Sequence, residues 1–170
     1  MRFIIFFWSI CFFLSCTDSI DKKLSSLNDG EAYAYFEVNG KSFYNDTTLF
    51  KGSVFKFEES FTIHLFGNDQ SNVMASLALP KDQNQKFEVK IGAKNQLESD
   101  LMFGKISQEI QGTGIGYIIT EGTATISKFN KNEIAITFKG KCTNIKHFDD
   151  KTRRENLSGF LVFKTPDIKE

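Results

Sequence analysis

The chain's 170 residues carry 21 basic and 21 acidic side chains and are 41% hydrophobic, with 14% aromatic residues and three cysteines. Balanced charge argues against any partner recruited by bulk electrostatics, nucleic acid foremost, and against an electrostatic grip on an anionic bilayer. The length suits one domain with its own hydrophobic core.

At the amino end Met1 and Arg2 make a short positive patch, and the twelve residues 3–14, FIIFFWSICFFL, carry no charge. At about 1.5 Å per residue they span roughly 18 Å as a helix, too little for about 30 Å of hydrocarbon. A positive start, a short apolar run and a small residue at its end describe a secretory signal peptide over residues 1–15. Ordinary signal cleavage wants a small side chain three residues before the cut, and Phe13 is large. The stretch Phe13-Leu14-Ser15-Cys16 resembles instead the lipobox of bacterial lipoproteins, with small Ser15 before the cysteine and Phe13 where that family usually has leucine. Cys11 is the competing cysteine, but bulky Ile10 precedes it. The resemblance implies cleavage between Ser15 and Cys16, a diacylglyceryl group on the Cys16 sulfur and a further acyl chain, such as palmitate, on its amine. Each buried methylene contributes about 0.8 kcal/mol, so two or three chains hold firmly where one holds marginally. The expected address is the bacterial cell envelope, at the outer membrane.

Residues 16–30 begin at lipidated Cys16 and continue TDSIDKKLSSLNDG, polar with isolated leucines. They read as a flexible tether, with a short helix in DKKLSSLN as the alternative. Asp18-Ser19-Ile20, and Asp46-Thr47-Thr48 further on, resemble the three-residue O-glycosylation motif of Bacteroidota. Ser19 and Thr47 are therefore candidate modification sites.

From residue 31 to 170 the pattern is strand after strand. In AYAYFEV, Ala34, Phe36 and Val38 share one face, and Tyr33, Tyr35 and Glu37 the other. Asn39-Gly40 follows, and a type I′ hairpin turn needs positive φ at both its central residues. SVFKF and FTIHLF come next, with Phe61, Ile63 and Leu65 on one face. NVMASLALP keeps Val73, Ala75, Leu77 and Leu79 in register and ends at Pro80, which removes a ladder donor. KFEVKIG turns Phe87, Val89 and Ile91 inward and Glu88 and Lys90 outward. GIGYIIT, GTATISKF and NEIAITFKGKCTNI follow, the last two joined at Asn130-Lys131-Asn132, and LSGFLVFKT closes the series. Nine or ten strands at this spacing predict a single all-β sandwich of mostly antiparallel strands, with a lipocalin-like β-barrel as the alternative. Fourteen of the 19 phenylalanines lie beyond residue 15 and supply the core.

Little in the sequence carries chemistry. With Cys11 in the leader and Cys16 acylated, Cys142 remains, and its alternating neighbours read as a small buried residue on a strand. GTGIG at 112–116 lacks the helix and the later acid of a dinucleotide loop, so it reads as a bend or bulge between strands. His64 reads as a cross-strand packing residue. HFDDKTRREN, from His147, reads as a solvated loop whose charges compensate one another, not as a calcium site. No serine nucleophile elbow, zinc spacing or glycosidase acid pair stands out, so neither catalysis nor a metal or cofactor is expected. Tyr33, Tyr35 and Tyr44, with Arg153 and Arg154 of the long loop, are the candidate ligand contacts, because aromatic faces stack on sugars and peptides.

GTATISKFNKNEIAITFKGK and FEVNGKSFYND resemble the closing and opening hairpins of small β-rich lipoproteins of Bacteroidota. The resemblance covers the leader and these hairpins, implies the envelope address and the β fold, and carries over no catalytic residue. The expected function is a lipid-anchored, non-catalytic binding or assembly module whose partner is an envelope protein or glycan. A barrel carrier of a small apolar ligand is the alternative, and a hydrolase with an unrecognised site comes third.

Overall fold

The computed structural model describes residues 14–79, 86–92, 99–106 and 113–170. The expected signal segment up to residue 13, and the strand end at Pro80, lie outside the described residues. The fold is all-β, and its centre is a closed barrel of eight antiparallel strands. In chain order the strands are β1 (Ala32–Val38), β2 (Lys41–Ser42), β3 (Phe50–Lys56), β4 (Ser60–Gly67), β5 (Asn72–Ala78) and β6 (Phe87–Ile91). They continue with β7 (Asp100–Ile106), β8 (Gly114–Phe129), β9 (Glu133–Asn144), β10 (Glu155–Lys164) and β11 (Ile168–Lys169). The ring runs β1-β3-β4-β5-β7-β8-β9-β10 and returns to β1. Strand β6 pairs β8 beyond the end of β7, and β11 pairs β3 in parallel.

The expected sandwich is therefore corrected to the barrel alternative. Strict alternation gives a dry and a wet face in either architecture, so it cannot separate them. The difference is made by one contact remote in sequence order from the hairpins, the pairing of Ala32 on β1 with Phe50 on β3, which closes the sheet on itself.

Faces follow the sequence pattern closely. Ala34, Phe36 and Val38 point inward, as do Phe61, Ile63 and Leu65, then Val73, Ala75 and Leu77, and all are buried. The opening hairpin forms as expected, with φ of 50° at Asn39 and 74° at Gly40. The inside of the barrel is filled with rings. Phe36 lies 4.6 Å from Phe103 and 5.8 Å from Phe138, centroid to centroid, and Phe61 lies 4.3 Å from Phe129. Behind the first hairpin Phe43 and Tyr44 fold back into the same cluster, 5.0 Å from Phe103 and 5.2 Å from Phe50 respectively. The Tyr44 hydroxyl donates to the Asn72 carbonyl at 2.6 Å, so the buried ring keeps its polar tip satisfied.

Strands β8, β9 and β10 approach one another through small residues. Gly122 faces Gly140, which faces Leu157 in turn, and a register shift between Ile119 and Glu121 adds local bend. A Cβ on Gly140 would overlap the backbone of Glu121 and Gly122, so only glycine lets these strands approach.

The expected flexible tether contains a docked helix. Helix α1 (Leu14–Ser26) lies on the outside of the barrel, where Ile20, Leu24 and Leu27 cover Tyr33, Ala135 and Val162. The spacing of four and then three residues places these apolar side chains on one helical face. The stripe is only two turns long, which is why the stretch reads as polar. Lys128 latches the helix, its Nζ lying 3.1 Å from both Asp21 Oδ1 and Glu133 Oε2. Partial burial works against the Lys128 charge, yet the two carboxylates outweigh it and hold its pKa above the usual lysine value. Lys164 Nζ donates to the Leu27 carbonyl at 2.7 Å, and Lys23 Nζ sits 3.7 Å above the Tyr33 ring. Lys128→Met is expected to weaken docking by about 1 kcal/mol, the upper end for part-exposed pairs. Hydrogen exchange should then speed up at residues 20–26 and stay unchanged in β8 and β9; equal protection in both proteins would refute the latch.

Candidate functional site

The candidate ligand contacts separate into three groups. Tyr33 is buried beneath α1 and Tyr44 within the barrel, where burial also raises the Tyr44 pKa, so neither presents a free ring. Both are corrected to core residues. Alternation placed Tyr33 rightly on the outer face, but the helix that covers it is a tertiary feature. Arg153 and Arg154 serve their own loop. Arg153 Nε lies 3.2 Å from Asp150 Oδ2 and its Nη1 lies 3.1 Å from His147 Nε2, while Arg154 Nη2 donates to the Phe148 carbonyl at 3.0 Å. Asp150 also accepts from the Thr152 hydroxyl at 2.6 Å, and these contacts hold its carboxyl below the usual range. Tyr35 alone stays on a partly open outer surface, with Phe160 beside it at 5.8 Å. Its hydroxyl donates to Glu37 Oε1 at 2.5 Å, and that bond is the first cause pushing its pKa up to about 12.

The remaining positions fall as follows. Ser19 is exposed on α1, and Thr47 is exposed in the connection between β2 and β3. Cys142 lies fully buried inside the barrel on β9, and burial pushes its thiol up to about 12, with the Glu155 charge adding to it. A thiol so disfavoured as thiolate is a packing group rather than a nucleophile. His64 points outward from β4 with Phe55 edge-on at 5.5 Å. Gly114 and Gly116 lie within β8, paired to Ile106 and Gly104, so this part of the glycine-rich stretch is strand instead of a bend, and Gly112 lies outside the described residues.

An open groove of about 610 Å³ lies on the outer face of the sheet, across β1, β10, β9, β8 and β6. Register explains its lining. A single cross-strand row runs Glu37, Ser158, Lys139, Thr123, Lys90, each directly opposite the next on the neighbouring strand. Lys141 and Glu121 form a second row beside it, paired with each other at 3.1 Å. Gly122, Gly140 and Leu157 turn their side-chain positions inward, so their backbone forms the groove floor.

The charges are unequally used. Glu37 accepts from Tyr35 and, at 3.3 Å, from the Ser158 hydroxyl, and Glu121 is taken by Lys141. Lys90 and Lys139 are exposed and have no ion-pair partner among the described residues. They flank Thr123 at two strand spacings, about 10 Å between backbones, well within joint reach of one extended ligand. Sequence alone marks Lys90 and Lys139 merely as outward lysines. The FKGKC stretch hints at something more, since lysine on both sides of an inward glycine gives two cations and a bare floor.

No family model, curated protein or solved structure matches this chain.

Proposed function

We propose that this chain is a lipid-anchored protein of the bacterial outer membrane, cut between Ser15 and Cys16, whose barrel is a non-catalytic binding module for an envelope protein or glycan. One observation carries the binding half: the barrel's inside is taken up by Phe36, Phe103 and Phe138, while its outside bears a groove with two cations that have no ion-pair partner among the described residues. A carrier of a small apolar ligand would need empty apolar volume where those rings stand. The leader, from Met1 and Arg2 to Cys16, supports the anchor half. In this reading Cys16 stands only four residues, about 6 Å along a helix, before Ile20, which packs on the barrel. The anchor then holds the barrel close against the bilayer instead of on a long leash.

A photoreactive amino acid placed at position 158, in the groove lining beside Lys139, of the full chain in living cells tests the module. A discrete adduct is expected there, and none from position 131, in the exposed turn between β8 and β9. Absence of any adduct at 158, or equal labelling at both positions, would remove the groove as the working surface.

A further inference from the structure

Resting on the binding-module reading, we infer that the outer groove takes an acidic glycan, a chain of sugars bearing carboxylates, which pair with Lys90 and Lys139. The two ammonium groups project from one row, with the Thr123 hydroxyl between them and Ser158 beside Lys139. An anion there gains two charge-assisted contacts without displacing any ion pair formed among the described residues. The carboxylates that bound the groove, Glu37 and Glu121, are already engaged and so do not compete for the same ammonium groups. They still offer lone pairs that accept from sugar hydroxyls, as does the Asn156 side-chain carbonyl.

Two features select a glycan over an acidic peptide. Strands β1, β10, β9 and β8 are hydrogen-bonded on both sides along the groove, so among the described strands that form it an added peptide strand would find a free side only on β6, at the groove's end and not along its floor. The groove also lacks an apolar anchor pocket of the kind that dominates protein interfaces, since Leu157, its one large apolar member, turns its side chain into the barrel. Mixed cations, hydroxyls and carboxylates on a shallow floor match the surface of a charged sugar. Tyr35 and Phe160, partly open in the next row, add an aromatic face beside it.

The full chain in non-ionic detergent should bind a tetramer of galacturonic acid saturably, with affinity falling as salt is raised. The fully methyl-esterified tetramer, equal in shape and uncharged, should bind at least tenfold more weakly. Lys90→Glu and Lys139→Glu should each lower affinity for the acid at least tenfold with unchanged melting temperature. Lys139→Arg should retain binding, and Lys131→Glu should have no effect. Equal binding of acid and ester, indifference to both charge reversals, or equally tight binding of tetraglutamate would each overturn the glycan assignment. If the adduct at position 158 persists in cells while galacturonate fails, the ligand class alone is lost. If the adduct is absent as well, the module reading falls with it.

Discussion

Gly140→Val is expected to destabilise the barrel by about 3 kcal/mol, the upper part of the range for forcing a side chain into a packed site. The atoms that its Cβ would meet belong to the backbone of Glu121 and Gly122, not to a side chain that can swing away. Relief would require β8 and β9 to separate where Gly122 and Gly140 face each other. These two strands share the longest ladder of the barrel, from Tyr117–Asn144 to Phe129–Ile134, so opening it propagates in both directions. Lys139→Ala, one residue away and facing solvent, should change stability by no more than about 0.5 kcal/mol. Denaturant midpoints of the two variants provide the comparison. A Gly140→Val protein as stable as the parent would mean that the strands do not approach as described.

Cys16→Ser is expected to have the largest effect on where the protein resides. Without a thiol there is no thioether to diacylglycerol, and an enzyme that cuts only the acylated form leaves residues 1–15 in place. The product should therefore be uncleaved precursor, with no acyl label and no mature form in the outer-membrane fraction. The size of the change would follow from the proposed chains: at about 0.8 kcal/mol per methylene, two or three acyl groups would hold firmly where one holds marginally. Mass spectrometry of the membrane and soluble fractions, with metabolic palmitate labelling, reads both outcomes. A Cys16→Ser chain that is still trimmed and still acylated would refute the proposed anchor, and Cys11→Ser serves as the comparison for the competing cysteine.

Much of the fold was legible because the signal is local. A strand's inward set recurs every second residue, so Phe61, Ile63 and Leu65, or Phe87, Val89 and Ile91, declare a face without reference to their neighbours. Asn39-Gly40 declares its turn for the same reason, since positive φ is a property of the two residues themselves. The burial of Cys142 follows from its place in such an alternation. What alternation cannot carry is the identity of the partner strand. Sandwich and barrel share the same pattern and differ in one pairing, Ala32 with Phe50.

The candidate site was less legible for a related reason. Tyr33 and Tyr44 looked available because an outward or loop aromatic has no local mark of what will cover it; α1 covers one and the barrel receives the other. Arg153 and Arg154 looked free because His147, Asp150 and Phe148 contact them only once the loop has curled. Lys90 and Lys139 stand 49 positions apart in the chain and become neighbours but one through Thr123. The amino-acid sequence by itself determined which residues face inward and where the first hairpin turns, both of which depend on neighbours along the chain. Only tertiary structure decided that the sheet closes, that the helix docks through Ile20 and Leu24 and that two cations meet over one groove. Each of these depends on which strands pair, and pairing is settled by contacts between residues far apart in the chain.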